Sequence, residues 1–256
     1  LFRKPEFLGA LAAMFGYSAA AQVLIFFLPL YLQNAFGYSP MVCGAAMIPF
    51  AIPLFVMPRF GARASVRYGS RAVLAWGLVL VAFGDLLLAA FAPSLRYELF
   101  ALAMLLTGIG AGMLNGETAL ALQSTIPTER GAMAGGFSAT VRFTSLLLAV
   151  ALLGVVLSHA ATNDFVHRAG QAALRVDAAP LVRQVIAGDA AGAMHGVAPS
   201  SRALAAVLAP ASVARGIAWL MLSAAVAAAA TGAIVWRQLP AGAAHARGKL
   251  EPAMAE

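Results

Sequence analysis

Charge is scarce in this chain. Asp, Glu, Lys and Arg together make up 11% of its 256 residues, where soluble domains carry about 25%. A deficit of that size means that much of the chain avoids water by facing lipid. Cysteine is nearly absent: Cys43 stands alone, so an intrachain disulfide is excluded, and its place at the start of an apolar run suits a small buried hydrophobe. Histidine is rare, and His159, His167 and His195 lack metal-ligand spacing, so no metal is expected. No Ser-His-Asp arrangement, HExxH or phosphate-binding loop occurs, which leaves neither an enzyme nor a cofactor to expect. An initiator methionine and a signal-peptide pattern are also missing. The chain opens "LFRKPEF", and its first apolar run far exceeds the ~7–15 residues of a signal-peptide core. The expectation is a piece of a longer protein.

What is present is apolar and basic: 62% hydrophobic residues, a mean hydropathy of +0.85 and a net charge of +7. The Lys and Arg residues punctuate apolar runs instead of forming a patch, which points to a membrane and away from nucleic acid. A bilayer core takes about 20 mainly apolar residues per helix. Six segments qualify, at about 7–32, 41–59, 72–92, 98–123, 132–158 and 216–236. None alternates like a membrane barrel strand, and backbone groups in lipid must be satisfied within each helix. The expected fold is an all-α membrane protein, a bundle of six transmembrane helices.

Counting Lys and Arg in the short connections orients the bundle. With the N-terminus inside, the inner segments hold Arg3, Lys4, Arg59, Arg63, Arg67, Arg71, Arg130, Arg237, Arg247 and Lys249, and the short outer ones only Arg96. Both termini are then cytoplasmic. Residues 1–158 hold five helices with a cytoplasmic basic loop at 59–71. An extracytoplasmic loop follows at 159–215, then the sixth helix at 216–236 and a cytoplasmic tail at 237–256. Long loops are largely exempt from the charge rule, so the arginines of 159–215 do not reverse this order. Pro180 and Pro199 each open a short amphipathic stretch there, predicting one or two short surface helices or an irregular Ala/Gly-rich loop. Pro49, Pro53 and Pro58 fall in one segment and predict a bent element. Gly108, Gly112 and Gly116, four apart, predict a ridge that lets another helix approach closely. The "GIGAG" in that stretch lacks the preceding strand of a dinucleotide-binding turn.

With six helices and "RYGSR" between the second and third, the sequence resembles the major facilitator superfamily of secondary transporters. Those proteins carry a Gly-x-Leu-x-Asp-Arg-x-Gly-Arg-Lys pattern in that loop. Arg67, Gly69 and Arg71 match its arginine, glycine and second basic residue, while Val66 stands where the aspartate would be. "LNGETALALQSTIPTERGAMAGGFSATVRFTSLLLAV" resembles the penultimate helix pair of the fourteen-helix drug:proton antiporter branch, the EmrB/QacA type, and "LFRKPEFLGALAAMF" resembles the entry to its C-terminal six helices. The resemblance implies the C-terminal half of a proton-coupled multidrug efflux transporter in the bacterial inner membrane. Its partners would be an N-terminal half, protons, the lipid bilayer and a small hydrophobic substrate, cationic ones included. A symporter half for uptake of a small organic solute has the same fold. A membrane scaffold or sensor with a partner-binding outside loop is the alternative of another class.

Ionisable residues inside a membrane are costly and usually face the bundle interior or a water-filled cavity. Asp85, Glu117 and Arg142 qualify. Glu117 and Arg142 lie equally far from the turn joining their helices, so they reach the same depth. Two readings stay open for them: a buried ion pair that fixes packing, or cavity groups that bind substrate or respond to protonation. Asp85 is a packing residue, or a gate or cavity residue. Asn115 and Gln22 hydrogen-bond substrate, or link helices at about 0.6 kcal/mol each.

Overall fold

A computed structural model of the protein describes residues 4–127, 131–172 and 176–239. Every regular element among them is helical. Five helices are long and apolar enough to cross a membrane, and a bent pair supplies a sixth span. The protein is an all-helical membrane bundle.

The first span begins with α1 (Pro5–Gly16). Its N-terminus has proline, whose missing N–H would lack an intrahelical partner anyway, and Glu6, which opposes the helix dipole. The helix then widens into a π-helical stretch, Tyr17–Gln22, where the Val23 N–H reaches back five residues to the Ser18 carbonyl at 3.1 Å. It tightens again as α2 (Leu24–Phe36). The second span is α3 (Pro40–Ala46) followed by α4 (Ile48–Tyr68), bent by 47°. The bend falls just before Pro49, the first of the three prolines. Pro53 and Pro58 are carried within α4, and their missing donors leave the carbonyls four residues earlier without an intrahelical bond.

The basic stretch 59–71 is mostly helix. α4 continues through Arg59, Arg63 and Arg67 to Tyr68, and only Gly69 interrupts it before α5 (Ser70–Phe91). Charged residues end the membrane span without ending the helix, because Arg is a good helix former. The reversal itself needs a positive φ. Gly69 supplies it at φ +84°, which a side chain would strain.

α6 (Tyr97–Gln123) lies between α4 and α5. Its glycine ridge works at two of three positions. A Cβ on Gly108 would stand 2.6 Å from the Phe50 carbonyl oxygen, and one on Gly112 2.5 Å from that of Pro53. Gly116 faces open space.

α7 (Gly131–Gln171) and α10 (Pro199–Gln238) have 41 and 40 residues. At 1.5 Å per residue each is about 60 Å long, well beyond a bilayer core of about 30 Å. Much of 159–215, expected as loop or short surface helices, is therefore a continuation of these two helices. The seam explains why: Leu157, Ala161, Phe165 and Ala169 are buried at a spacing of four on α7, and Ala205, Ala209 and Val213 on α10. Hydropathy windows miss such a seam because the other faces are polar. Asp164 bridges Arg168 at 2.7 Å and Arg215 at 3.4 Å. The short helices α8 (Ala178–Ile186) and α9 (Ala190–Ala193) fill the connection. The first of them is the amphipathic helix expected after Pro180, extended by two residues, with Leu181, Val182 and Val185 buried.

Candidate functional site

Three polar side chains from three spans meet inside the bundle. The Tyr17 hydroxyl donates to Asn115 Oδ1 at 3.1 Å. Arg142 Nη2 donates to the Tyr17 hydroxyl at 3.2 Å, to the Asn115 carbonyl at 3.5 Å and to Asn115 Oδ1. The guanidinium carbon also lies 5.2 Å from the centre of the Tyr17 ring, within cation–π range. Counting along the helices, Tyr17 is about 18 Å from Pro5, Arg142 about 17 Å from Gly131 and Asn115 about 12 Å from Gln123. The cluster therefore lies within the three helices, two or more turns from each of these ends.

The π-helical stretch positions the first member. It inserts a wider turn where Tyr17 enters the cluster, and Ser18, Ala19, Ala20 and Ala21 leave room for the neighbouring helices. Such turns recur at functional sites. Arg142 forms no ion pair among the described residues. Its Nε is buried without a partner. Beside it lies a cleft of about 240 Å³ lined by Met14, Ala119, Gln123, Ser138, Arg142 and Phe143 among others. An unneutralised guanidinium with free donor capacity next to a cleft can take a carbonyl or carboxylate oxygen.

Of the two readings left open, the Glu117–Arg142 ion pair is not found among the described residues. Glu117 is 4% exposed, and its Oε2 lies 3.5 Å from the Ser70 hydroxyl, at the first turn of α5. Equal distance from the joining turn says nothing about direction. Asn115 and Glu117 are two residues apart, about 200° around the helix, so the residue that meets Arg142 is Asn115. Glu117 instead points at the N-terminus of α5, whose dipole favours an acidic group.

The other candidates stand apart from the cluster. Asp85 is fully buried between α5 and α6. The Thr107 hydroxyl lies 3.5 Å from its Oδ1 but donates its one hydrogen at 3.1 Å to the Ala103 carbonyl, and Oδ2 has no partner. Gln22 accepts from the Ser18 hydroxyl at 3.4 Å. Arg67 and Arg71 flank the Gly69 turn, with their guanidinium carbons 5.3 Å from the Tyr68 ring centre and 4.3 Å from that of Trp236. Tyr17 was missed from the sequence. Its signal is a phenol five residues before Gln22 within an apolar run, and it was lost because tyrosine passes as hydrophobic.

Two comparisons bear on this arrangement. The profile of the Major Facilitator Superfamily matches residues 2–163. Over 182 residues the chain is 31% identical to the methylenomycin A resistance protein of Streptomyces coelicolor, covering 71% of this chain and 38% of that protein. The chain thus spans well under half the length of the curated relative it matches. With its helical spans and its family match together, the chain belongs to the major facilitator superfamily, whose members transport solutes across membranes and do not catalyse reactions.

Proposed function

We propose that this chain forms one six-helix wall of a proton-coupled efflux transporter of the fourteen-helix drug:proton antiporter branch, working by alternating access. The observation that carries the reading is the Tyr17–Asn115–Arg142 cluster, a cation within the helical spans without a carboxylate partner among the described residues and beside a cleft. Family members bind substrate inside the membrane, between two bundles. The cleft of about 240 Å³ is smaller than ligand pockets of about 300–1,000 Å³, which suits one side of a shared cavity. The matched relative is long enough to hold a second bundle outside the aligned 38%.

The cluster's chemistry favours a small, mainly apolar substrate with a carbonyl or carboxylate oxygen over a cation, which Arg142 would repel. The relative's name, a resistance protein, supports export as the direction. Asp85 and Glu117, both buried and without an ion-pair partner among the described residues, are the groups assigned to proton exchange. The arginine-rich end of the bundle is assigned to the cytoplasm.

The test is accumulation of a labelled carboxylic-acid antibiotic by cells making this chain together with the transporter's other helical wall. Accumulation should fall when the protein is made and recover when a protonophore is added. Arg142→Gln should abolish export at normal membrane abundance, and Arg142→Lys should keep part of it. Export by Arg142→Gln equal to wild type would remove Arg142 from the site.

A further inference from the structure

A second feature lies on the outer surface of the bundle, on α5 and α10. A groove of about 570 Å³ runs between these helices, floored by small residues of α10 and flanked by Trp76 and Trp236. Ala229, Gly232, Ala233 and Trp236 occur at i, i+3, i+4 and i+7, so they share one face of α10. Every lining residue is apolar except Arg237, at one end. On the other side of Trp76 is a second apolar groove, of about 290 Å³, bounded by Tyr68 and Met113.

The charges sit at one level. α4 ends at Tyr68, α5 begins at Ser70 and α10 ends at Gln238, so Arg67, Arg71 and Arg237 gather where three helices end or begin. Arg71 lies over the Trp236 ring, and its Nε is buried without a partner. None of the three forms an ion pair among the described residues. Tryptophan and arginine at that level are the side chains that meet lipid headgroups.

We infer that this surface is a binding site for an anionic phospholipid, with an acyl chain in the groove between Trp76 and Trp236 and the phosphate held by Arg71 and Arg237. The groove spans Ala75 to Ala82, about 10 Å of helix, within the roughly 15 Å of one leaflet's hydrocarbon. The unneutralised arginines select the headgroup, and the small α10 residues admit the chain. Basic residues at this level draw anionic lipid. This site is separate from the Arg142 cluster and does not depend on what the protein transports.

Tryptophan quenching by brominated lipid tests it on the full chain in phosphatidylcholine bilayers. Trp219 is the internal control, since it lies about 27 Å along α10 from Arg237 against a groove without a charged residue. In a variant keeping only Trp236, dibrominated phosphatidylglycerol should quench with an apparent affinity about fivefold or more above dibrominated phosphatidylcholine. In a variant keeping only Trp219, the two lipids should quench alike. Arg71→Gln with Arg237→Gln should erase the preference at Trp236, while Arg71→Lys with Arg237→Lys should retain it. Equal quenching by both lipids at Trp236, the same preference at Trp219, or a preference that survives the double glutamine change would each overturn the assignment.

Discussion

Arg142 brings a charge into an apolar bundle and meets only neutral oxygens there, those of Tyr17 and Asn115. Its ties to Asn115 and its lack of one to Glu117 give a direct test by double-mutant cycles. Asn115→Leu and Arg142→Gln should couple by about 0.5–3 kcal/mol, as residues in one hydrogen-bond network do. Glu117→Gln and Arg142→Gln should add to within about 0.5 kcal/mol. Unfolding of the purified variants in detergent measures both. Strong coupling between Glu117 and Arg142 would show that they pair after all.

Helix packing depends on residues that contribute no side chain at all. α4 crosses α6 over Gly108 and Gly112, and there the Pro53 carbonyl leaves no room for a methyl group. Gly112→Ala should therefore destabilise the bundle by about 1–3 kcal/mol, the usual cost of overpacking. Gly116→Ala, with nothing within 4 Å of the new methyl, should be neutral or stabilising, because alanine is the better helix former. Thermal unfolding of both variants makes the comparison, and equal losses would argue against the crossing described. Along the α7–α10 seam the apolar contacts outweigh the ion pairs. Phe165 is fully buried, so Phe165→Ala should cost about 3–5 kcal/mol. Arg215 is half exposed where it meets Asp164, so Arg215→Ala should cost at most about 1 kcal/mol. Denaturation in detergent that ranked Arg215→Ala above Phe165→Ala would make the ion pair the main link.

Across the whole molecule the two membrane ends differ. One carries the arginines of α4, α5 and α10. The other carries an aromatic cluster in which Tyr31 packs on Phe100 with ring centres 4.6 Å apart and Tyr97 lies 6.3 Å from Tyr38. Cysteine labelling in a Cys43→Ser background assigns the sides. Ser70, in the Gly69 turn, is buried against Glu117 and unsuited to the experiment. Val66, on the same basic segment, is 67% exposed. A membrane-impermeant maleimide should reach Val66→Cys only from the cytoplasm and Gln184→Cys, on α8, only from outside. Labelling of both from one side would rule out the proposed topology. The Arg142 cleft opens on a bundle side that includes Phe143, an exposed aromatic of α7. A second wall there would enclose the cleft and keep the charge from lipid, where it costs several kcal/mol.

Much of this architecture is determined by the sequence alone, because the membrane reduces folding to one dimension. The six apolar runs, the arginine asymmetry, the bend at the prolines and the close approach at Gly108 and Gly112 all follow from composition and spacing along a helix. Only the tertiary structure decided which faces meet. Asn115, not Glu117, reached Arg142, Tyr17 joined them through a widened turn, and α7 and α10 ran past the bilayer along a shared apolar seam. Each residue turns the helix by about 100°, so direction depends on the neighbours packed around it, and one π-helical turn shifts the register of all that follows.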